Sequence, residues 1–452
     1  MDVDVLSQRK KLNSDILHKK VFAIYGLGNV GGPLATAWLR AGAKVIGVDI
    51  SKKLISEINI GKSHKKEPHV SDTFSKSLKN GKLTLTSNGV RASKDSDIKI
   101  VAVPVGLKND GADLSALISV SRNIAAGLKN GDAVLISPSV PPGTTENVIL
   151  PILENGSKLV GGKNFHLIYN PERIFEGRAL EDIECNYPAI VAGLDEKSLM
   201  FAEKLLKIIS KKGVLKMSSL ANAESEKLFE GVYRDVNIAL ANELAEFCEA
   251  IGVNFWESRK GANSQPYCHL HYPGTGVGGL CIPVYPKFIL QEAKKIKKHL
   301  LITEFARKIN DAMPKKCVND AIKLLSDNGR SLNKSKVSVL GLGFRGEVTD
   351  SRLSPTYSVV REFLKKGCKV AVHDPYILKD DLLPSDVVLS TDLRKIIANA
   401  DLIFISTDHK LYTRLNSRSF RMAKRPLLIF DGRNILNKSN FIDSSLVSIG
   451  VR

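Results

Sequence analysis

The chain opens its regular patterning with a short apolar run, Val21–Tyr25, then the turn Gly26-Leu27-Gly28-Asn29-Val30-Gly31 and an apolar helical stretch over 33–41. A second apolar run, Lys44–Val48, ends on Asp49. Five-residue apolar runs have strand length, and the stretch between them has helical period, so this segment predicts strand, turn, helix and strand. Apolar runs at 98–103, 133–137 and 166–169 extend a parallel sheet. From Leu220 to Ile251 the pattern becomes one long amphipathic helix, and further helical segments follow to about residue 328. The opening theme then recurs: an apolar run over 337–340, Gly341-Leu342-Gly343-Phe344, a helix over 357–366 and a strand Lys369–His373 ending on Asp374. Later strands are expected at 386–389, 401–405 and 427–430.

This order predicts an α/β protein: two Rossmann-like doubly wound parallel sheets joined by a long central helix and a helical dimerisation region. The first turn has the spacing of a dinucleotide-binding fingerprint. Gly26 permits the tight turn, Gly28 lets backbone amides approach a pyrophosphate, and Gly31 lets the helix pack closely on the strand. Asp49, at the end of the second strand, would accept hydrogen bonds from ribose hydroxyls and disfavour the extra phosphate of NADP, so NAD is the expected cofactor. Glycine-rich turns also serve as plain connectors, but here strand, helix and acid all stand at the required spacing. The second turn lacks the third glycine, since Gly343 is followed by Phe344-Arg345-Gly346. Two nucleotide-type sheets suggest two nucleotide-bearing ligands facing each other across a cleft.

Composition adds bounds. A chain of 452 residues has room for two or three domains, and 43% hydrophobic with 25% charged residues is ordinary globular usage. No apolar run reaches membrane-span length, and the lysine-rich start lacks the apolar centre of a signal peptide, so a soluble cytoplasmic protein is expected. Lys plus Arg exceed Asp plus Glu by 66 to 47, a net charge of +19 that favours an anionic ligand. Much of the excess stands in lysine patches such as Lys52-Lys53, Lys65-Lys66, Lys211-Lys212 and 294–298, which read as solvated faces. No nucleic-acid recognition motif accompanies the charge, and neither nucleic acid nor membrane is expected as a partner. The six cysteines are too sparse for a disulfide framework or a metal clip, and no metal is expected.

One cysteine has an unusual setting. Cys281 follows Pro273-Gly274-Thr275-Gly276-Val277-Gly278-Gly279-Leu280 and precedes Ile282-Pro283. A thiol after a flexible glycine loop is open to a ligand, whereas the other five lie in helical or strand patterns and read as structural. A thiol beside a nicotinamide can add to an aldehyde to give a thiohemiacetal. Oxidation of that adduct yields a thioester that water converts to a carboxylate.

These segments, together with Ser139-Val140-Pro141-Pro142-Gly143-Thr144-Thr145, Asn170-Pro171-Glu172-Arg173-Ile174-Phe175-Glu176-Gly177, Tyr233-Arg234-Asp235-Val236-Asn237 and Asp350-Ser351-Arg352, resemble the nucleotide-sugar dehydrogenases, the UDP-glucose/UDP-mannose dehydrogenase family. The likeness runs from Val21 to about Asn434. The arginine after Pro171-Glu172 and the Ile-Pro after Cys281 are similar to the branch that oxidises UDP-N-acetylhexosamines such as UDP-ManNAc or UDP-GlcNAc. The resemblance implies a four-electron oxidation of the sugar C6 alcohol to a carboxylate with two NAD molecules in turn, for glycan precursor synthesis. It implies Cys281 as nucleophile, Lys227 at the oxyanion and Glu172 as general acid/base in thioester hydrolysis. Val103, Ser139 and Glu176 would lie on the cofactor. Arg173, Ile174, Lys227, Arg234, Gly278, Phe344, Arg345 and Arg352 would hold the UDP-sugar, the arginines through their planar forks. The polar, lysine-rich residues 1–20 read as a short tail. The resemblance also implies an NAD-binding domain over 21–218, a central dimerisation domain with the cysteine loop over 219–330, and a UDP-sugar domain over 331–452, in a homodimer or higher homo-oligomer.

The chain departs from that pattern near the sugar. Gly231 stands where the family has Asn, four residues after the lysine, and Tyr285 where it has Asp, four after the cysteine. Gln265-Pro266-Tyr267 replaces His-Pro-Arg, Leu280 replaces His, and Arg345 replaces Lys. A catalytically weakened relative that binds NAD and a sugar nucleotide without full turnover is therefore the alternative reading.

Overall fold

The computed structural model describes residues 17, 19–64, 67–333 and 335–451. Most of the expected tail, residues 1–16 and 18, lies outside the described residues, as does the Lys65-Lys66 patch. The chain forms two compact units, Met1–Phe229 and Glu230–Arg452.

The first unit is built on strands β1 (Val21–Tyr25), β2 (Lys44–Val48), β3 (Leu83–Thr86) and β4 (Ile98–Val101), a hairpin β5 (Gly106–Lys108) and β6 (Gly111–Asp113), and β7 (Ala133–Ile136), β8 (His166–Tyr169), β9 (Ala189–Gly193) and β10 (Val214–Lys216). The sheet order is β10-β9-β8-β7-β4-β1-β2-β3, in which the first six sheet strands of the chain take the doubly wound order with β1 and β4 at the switch point. All neighbours are parallel except β8 and β9, where Ile168 faces Gly193 in antiparallel register. Both faces are covered, so the strands read as continuous apolar runs. Phe22, Ile24 and Trp38 pack on one side and Tyr25, Val101 and Ile136 on the other, with the Phe22 and Trp38 rings 4.6 Å apart. The exception is Lys99, fully buried in β4 and ion-paired with Asp132.

The helix Leu220–Ile251 contains the division between the units. In the second unit it is followed by the helices Phe255–Ala262, Tyr285–Lys295 and Leu301–Asp327, with no strand over 219–333. Then come β11 (Lys336–Leu340), β12 (Lys369–His373), β13 (Val388–Ser390), β14 (Leu402–Ile405), β15 (Leu427–Asp431) and β16 (Ser444–Ser448), ordered β13-β12-β11-β14-β15-β16 and parallel throughout. This is again the 3-2-1-4-5-6 order. Its core runs from Val337 and Val339 through Phe363, Phe404 and Phe430.

The two-sheet expectation therefore stands, with β3, β9, β10 and β16 added to the sheets and the hairpin β5–β6 beside them. Two cysteines differ from the expectation of regular elements. Cys268 lies in the irregular segment after the helix Phe255–Ala262, and Cys368 in the turn before β12. No helix of the described residues is long and apolar enough to cross a membrane, and no His, Cys, Asp and Glu group among them could hold a metal.

Candidate active site

In the first unit the glycine turn divides the labour as its spacing implies. Gly26 has φ +88°, and a β-carbon there would meet the Ala102 carbonyl oxygen at 2.8 Å and Cγ1 of Val103 at 3.2 Å. Val103 thus borders the turn. At Gly31 a β-carbon would fall 1.7 Å from the Gly26 carbonyl oxygen, whereas at Gly28 nothing lies within 4 Å. The turn is closed on its protein side and open at Gly28, a cradle suited to a pyrophosphate. Asp49 accepts the Leu27 amide at 2.8 Å on one carboxylate oxygen and the Ser51 amide at 2.8 Å on the other. It is thereby fixed beside the turn with lone pairs remaining for ribose hydroxyls. These residues fit a dinucleotide.

The Ser139–Thr145 segment follows β7 and is tied to the long helix by Glu224, which is fully buried. Its carboxylate accepts the Gly143 amide at 2.5 Å and the Thr145 amide and hydroxyl at 2.8 and 2.6 Å. Burial pushes its pKa up to about 7, against those hydrogen bonds, which pull it down. Nothing in the sequence pattern marks Glu224, although it lies three residues before Lys227.

The loop after β8 carries Glu172, Arg173, Ile174 and Glu176. The Glu172 amide donates to the Ser137 carbonyl at 3.3 Å, which sets the loop at the C-terminal end of β7. The Glu172 carboxylate accepts the Ile174 amide, and Asp182 accepts the Phe175 amide at 2.8 Å. Arg173 donates to the Pro188 carbonyl at 2.6 Å, stands 4.7 Å over the Tyr187 ring and pairs with Glu226 at 3.7 Å. That pair ties the loop to the turn of helix that carries Lys227, itself only 8% exposed. A cavity beneath the loop is lined by Leu34, Ile183, Leu206 and Ile209 together with Glu172 and Ile174.

In the second unit the cysteine loop is anchored at both ends. The Gly274 amide donates to Asn242 at 2.9 Å, and Asn242 donates to Asn310 at 2.9 Å. Asn310 in turn donates to Asp235 at 2.8 Å, and Asp235 is ion-paired with Arg307. Burial pushes Asp235 up to about 6, with Arg307 opposing the shift. The guanidinium of Arg433 lies where a β-carbon on Gly274 would sit, at 2.6 Å. Further along, β-carbons on Gly278 and Gly279 would meet Phe344 at 2.8 and 2.9 Å, and the Gly279 amide donates to the Arg352 carbonyl at 3.0 Å. The two glycines therefore let the loop lie on the Phe344 ring. Cys281 follows with an exposed thiol, unlike the other five cysteines, which are buried or half-buried. Its carbonyl accepts the amides of Val284 and Tyr285 at 3.1 and 3.0 Å, which starts the helix Tyr285–Lys295.

The structure thus brings Gly278, Phe344 and Arg352 together beside Cys281's loop. Arg345 stands 6.0 Å over the Phe344 ring, and Arg352 forms a bidentate pair with Asp350. Arg234 is exposed on the long helix. In the second glycine turn, Asp374 takes the place that Asp49 has in the first, accepting the Leu342 and Gly343 amides at 2.8 and 3.0 Å. Its burial is outweighed by His409 and the backbone amides, which hold its pKa down at about 2.

Comparison with known proteins agrees with this geometry. Residues 20–210 match the NAD binding domain of the UDP-glucose/GDP-mannose dehydrogenase family, residues 221–312 its central domain and residues 338–438 its UDP binding domain. The chain is 34% identical over 416 residues to a UDP-N-acetyl-D-mannosamine dehydrogenase of Pyrococcus horikoshii, covering 92% of this chain and 96% of that one. It is 31% identical over 408 residues to an NDP-N-acetyl-D-galactosaminuronic acid dehydrogenase of Ralstonia nicotianae, covering 88% and 93%. The solved structure of a Pyrococcus horikoshii UDP-D-ManNAc dehydrogenase superposes with a TM-score of 0.87 at 33% identity, over 95% of this chain and 99% of that one.

Proposed function

Starting from the fact that the chain belongs to the UDP-glucose/GDP-mannose dehydrogenase family, NAD-dependent oxidoreductases of nucleotide sugars, we propose that it oxidises the C6 alcohol of a UDP-N-acetylhexosamine to the carboxylate. The observation that carries the reading is the exposed Cys281 thiol at the end of a glycine loop laid on Phe344. NAD bound at the Gly26–Gly31 turn supplies a hydride acceptor in each of two successive oxidations. Val103, Ser139 and Glu176 would lie beside its nicotinamide. Cys281 adds to the C6 aldehyde, forming a C–S bond while the carbonyl oxygen becomes an alkoxide or hydroxyl. Loss of hydride from that thiohemiacetal gives a thioester, and water then cleaves the C–S bond and returns the thiol. The ammonium of Lys227 stabilises the negative oxygen in these steps, and Glu172 takes the proton from the attacking water. Arg173, Arg234, Arg345 and Arg352 bind the diphosphate and sugar with Ile174, Gly278 and Phe344. The family-model matches over 20–210, 221–312 and 338–438 support reading the chain as an NAD domain over 21–218, a central domain over 219–330 and a UDP-sugar domain over 331–452.

Tyr233, Leu240, Phe247 and Ile251 are exposed apolar side chains at spacings of seven, seven and four on the long helix, one face of it. A second copy of the chain covers this face in a cytoplasmic homodimer, which glycan precursor synthesis would use.

The reaction is tested by counting NADH formed per UDP-ManNAc or UDP-GlcNAc consumed by the purified protein. Two per sugar, lost in Cys281→Ala, is expected. Binding of UDP-sugar and NAD with no turnover would establish the second reading, a binder without full activity, which Gly231 and Tyr285 favour.

A further inference from the structure

The segment between the helices Lys52–Asn59 and Val70–Lys79 is used by none of the groups assigned above. It nevertheless touches both cofactor-side elements of the first unit. Nε2 of His64 lies 2.7 Å from the Leu27 carbonyl oxygen. A carbonyl can only accept, so Nε2 carries the proton and donates it to the middle of the glycine turn. Room for the imidazole comes from Gly32, where a β-carbon would be 2.5 Å from Nε2. The ring is also set edge-on to Phe74 at 5.7 Å, and Nδ1 is buried with no hydrogen-bond partner among the described residues. A ring fixed at one nitrogen and enclosed on its other side has one seat.

Three residues on, Glu67 is 7% exposed. Its carboxylate accepts the Gly177 amide at 2.5 Å and the Ala179 amide at 3.3 Å. Gly177 has φ +94° and ends the Glu172–Glu176 loop, so Glu67 fixes the point where that loop turns back into the fold. The Glu67 amide donates to the His64 carbonyl at 2.9 Å, which joins the two contacts through a direct hydrogen bond. An unbroken path of hydrogen bonds therefore runs from the Leu27 carbonyl to the end of the loop, linking groups more than a hundred residues apart in the chain.

We propose that His64 and Glu67 are positioning residues that couple occupancy of the glycine turn to the conformation of the Glu172–Glu176 loop. A pyrophosphate seated on the turn orients the peptide units around Gly28, the Leu27 carbonyl moves with them, and the strap carries that displacement to Gly177. The proposal rests on the cofactor reading above, and its test measures the coupling itself.

Amide hydrogen exchange is followed in the full-length protein with and without saturating NADH. In the wild type, NADH slows exchange both in 26–31 and in 172–179. In Glu67→Gln, which loses one of the two acceptors, and in His64→Leu, which loses the donor, NADH still protects 26–31 but no longer protects 172–179. In both variants kcat falls about tenfold, the scale of one lost hydrogen bond to a charged or buried group, while KM for NAD changes less than about threefold. His64→Gln, whose side-chain amide can still donate to Leu27, restores both readouts. Should Glu67→Gln not fold, the His64 pair decides alone. Wild-type protection of 172–179 and wild-type kcat in His64→Leu would overturn the coupling. Absence of NADH protection at 26–31 in the wild type would instead overturn the cofactor reading beneath it.

Discussion

The Tyr285 ring lies so close to the long helix at Gly231 that a β-carbon on Gly231 would stand 2.4 Å from its Cδ2. Read along the chain, Gly231 and Tyr285 are two separate losses of a polar side chain. In space they are one exchange, a large ring seated where the facing residue has none. Tyr285 is 7% exposed and packs 6.4 Å from Phe288. Gly231→Asn alone is therefore expected to destabilise the protein by about 1–3 kcal/mol through overpacking. Tyr285→Asp alone removes a buried ring and leaves a carboxylate in its place, at a cost of similar size or more. The double variant relieves the overlap, so its loss is smaller than the sum of the two. Denaturant unfolding of all four proteins gives the coupling energy, and additive losses would show that the two sites do not interlock.

Gly28 and Gly31 are expected to respond to alanine in opposite ways. Gly28→Ala meets nothing within 4 Å and keeps an ordinary φ, so its thermal midpoint stays close to that of the wild type while NADH affinity falls as the methyl enters the open face of the turn. Gly31→Ala would place its β-carbon 1.7 Å from the Gly26 carbonyl, and it loses stability whether or not cofactor is present. Thermal melts paired with NADH fluorescence titration separate the two effects. Equal loss of affinity and stability in both variants would refute the division of labour.

What could be read in the sequence was local. Strand, glycine turn, helix and Asp49 lie within one stretch from Val21, and each leaves its mark in period, glycine spacing or charge. The exposed thiol of Cys281 was legible for the same reason, because its glycine loop is contiguous. Short edge strands were not: β10 is three residues long with Leu215 half exposed, so it has no apolar run. Nor were the anchors of the loops. Asn242 reaches Gly274, Glu224 reaches Thr145 and Glu67 reaches Gly177 across 32, 79 and 110 residues. A lone Asn or Glu in a helix or turn has the same sequence appearance whether it faces water or caps a distant amide. Burial distinguishes the two, and burial is a property of the fold.

Glu224 gives the site a pH signature. Its pKa rises from the ordinary 4.5 of a free glutamate to about 7 in the folded protein, because burial disfavours the carboxylate. The sign follows from proton uptake. Below 4.5 both folded and unfolded states hold the proton, and between 4.5 and 7 only the folded state does, so stability declines as pH rises through that window and levels off above it. The shift corresponds to a contribution on the order of 3 kcal/mol. Glu224→Gln cannot ionise, so the difference in unfolding free energy between wild type and variant is expected to change in this direction from pH 5 to pH 8. A flat difference across that range would mean that the Gly143 and Thr145 donors hold the carboxylate ionised throughout.

Asp49 tests the cofactor site most directly, because its two roles can be separated. Its carboxylate oxygens each accept one backbone amide, from Leu27 and Ser51, and in the proposed function its charge also meets the ribose hydroxyls. Asp49→Asn keeps one acceptor for the turn but removes the negative charge, and its amide group is a poor match for the second backbone donor. A modest loss of stability follows, on the scale of one hydrogen bond, about 1 kcal/mol. The change in cofactor choice is larger. A charged acceptor is worth about 1.5–3 kcal/mol to a ribose hydroxyl, so NAD affinity falls roughly tenfold or more. The like-charge barrier to the 2′-phosphate disappears at the same time, so NADP affinity rises in a chain that already carries excess positive charge. The ratio of kcat/KM for NAD to that for NADP then drops by more than the loss for NAD alone. An unchanged ratio, with both cofactors weakened equally, would reduce Asp49 to a brace for the glycine turn and move ribose recognition elsewhere on the first sheet.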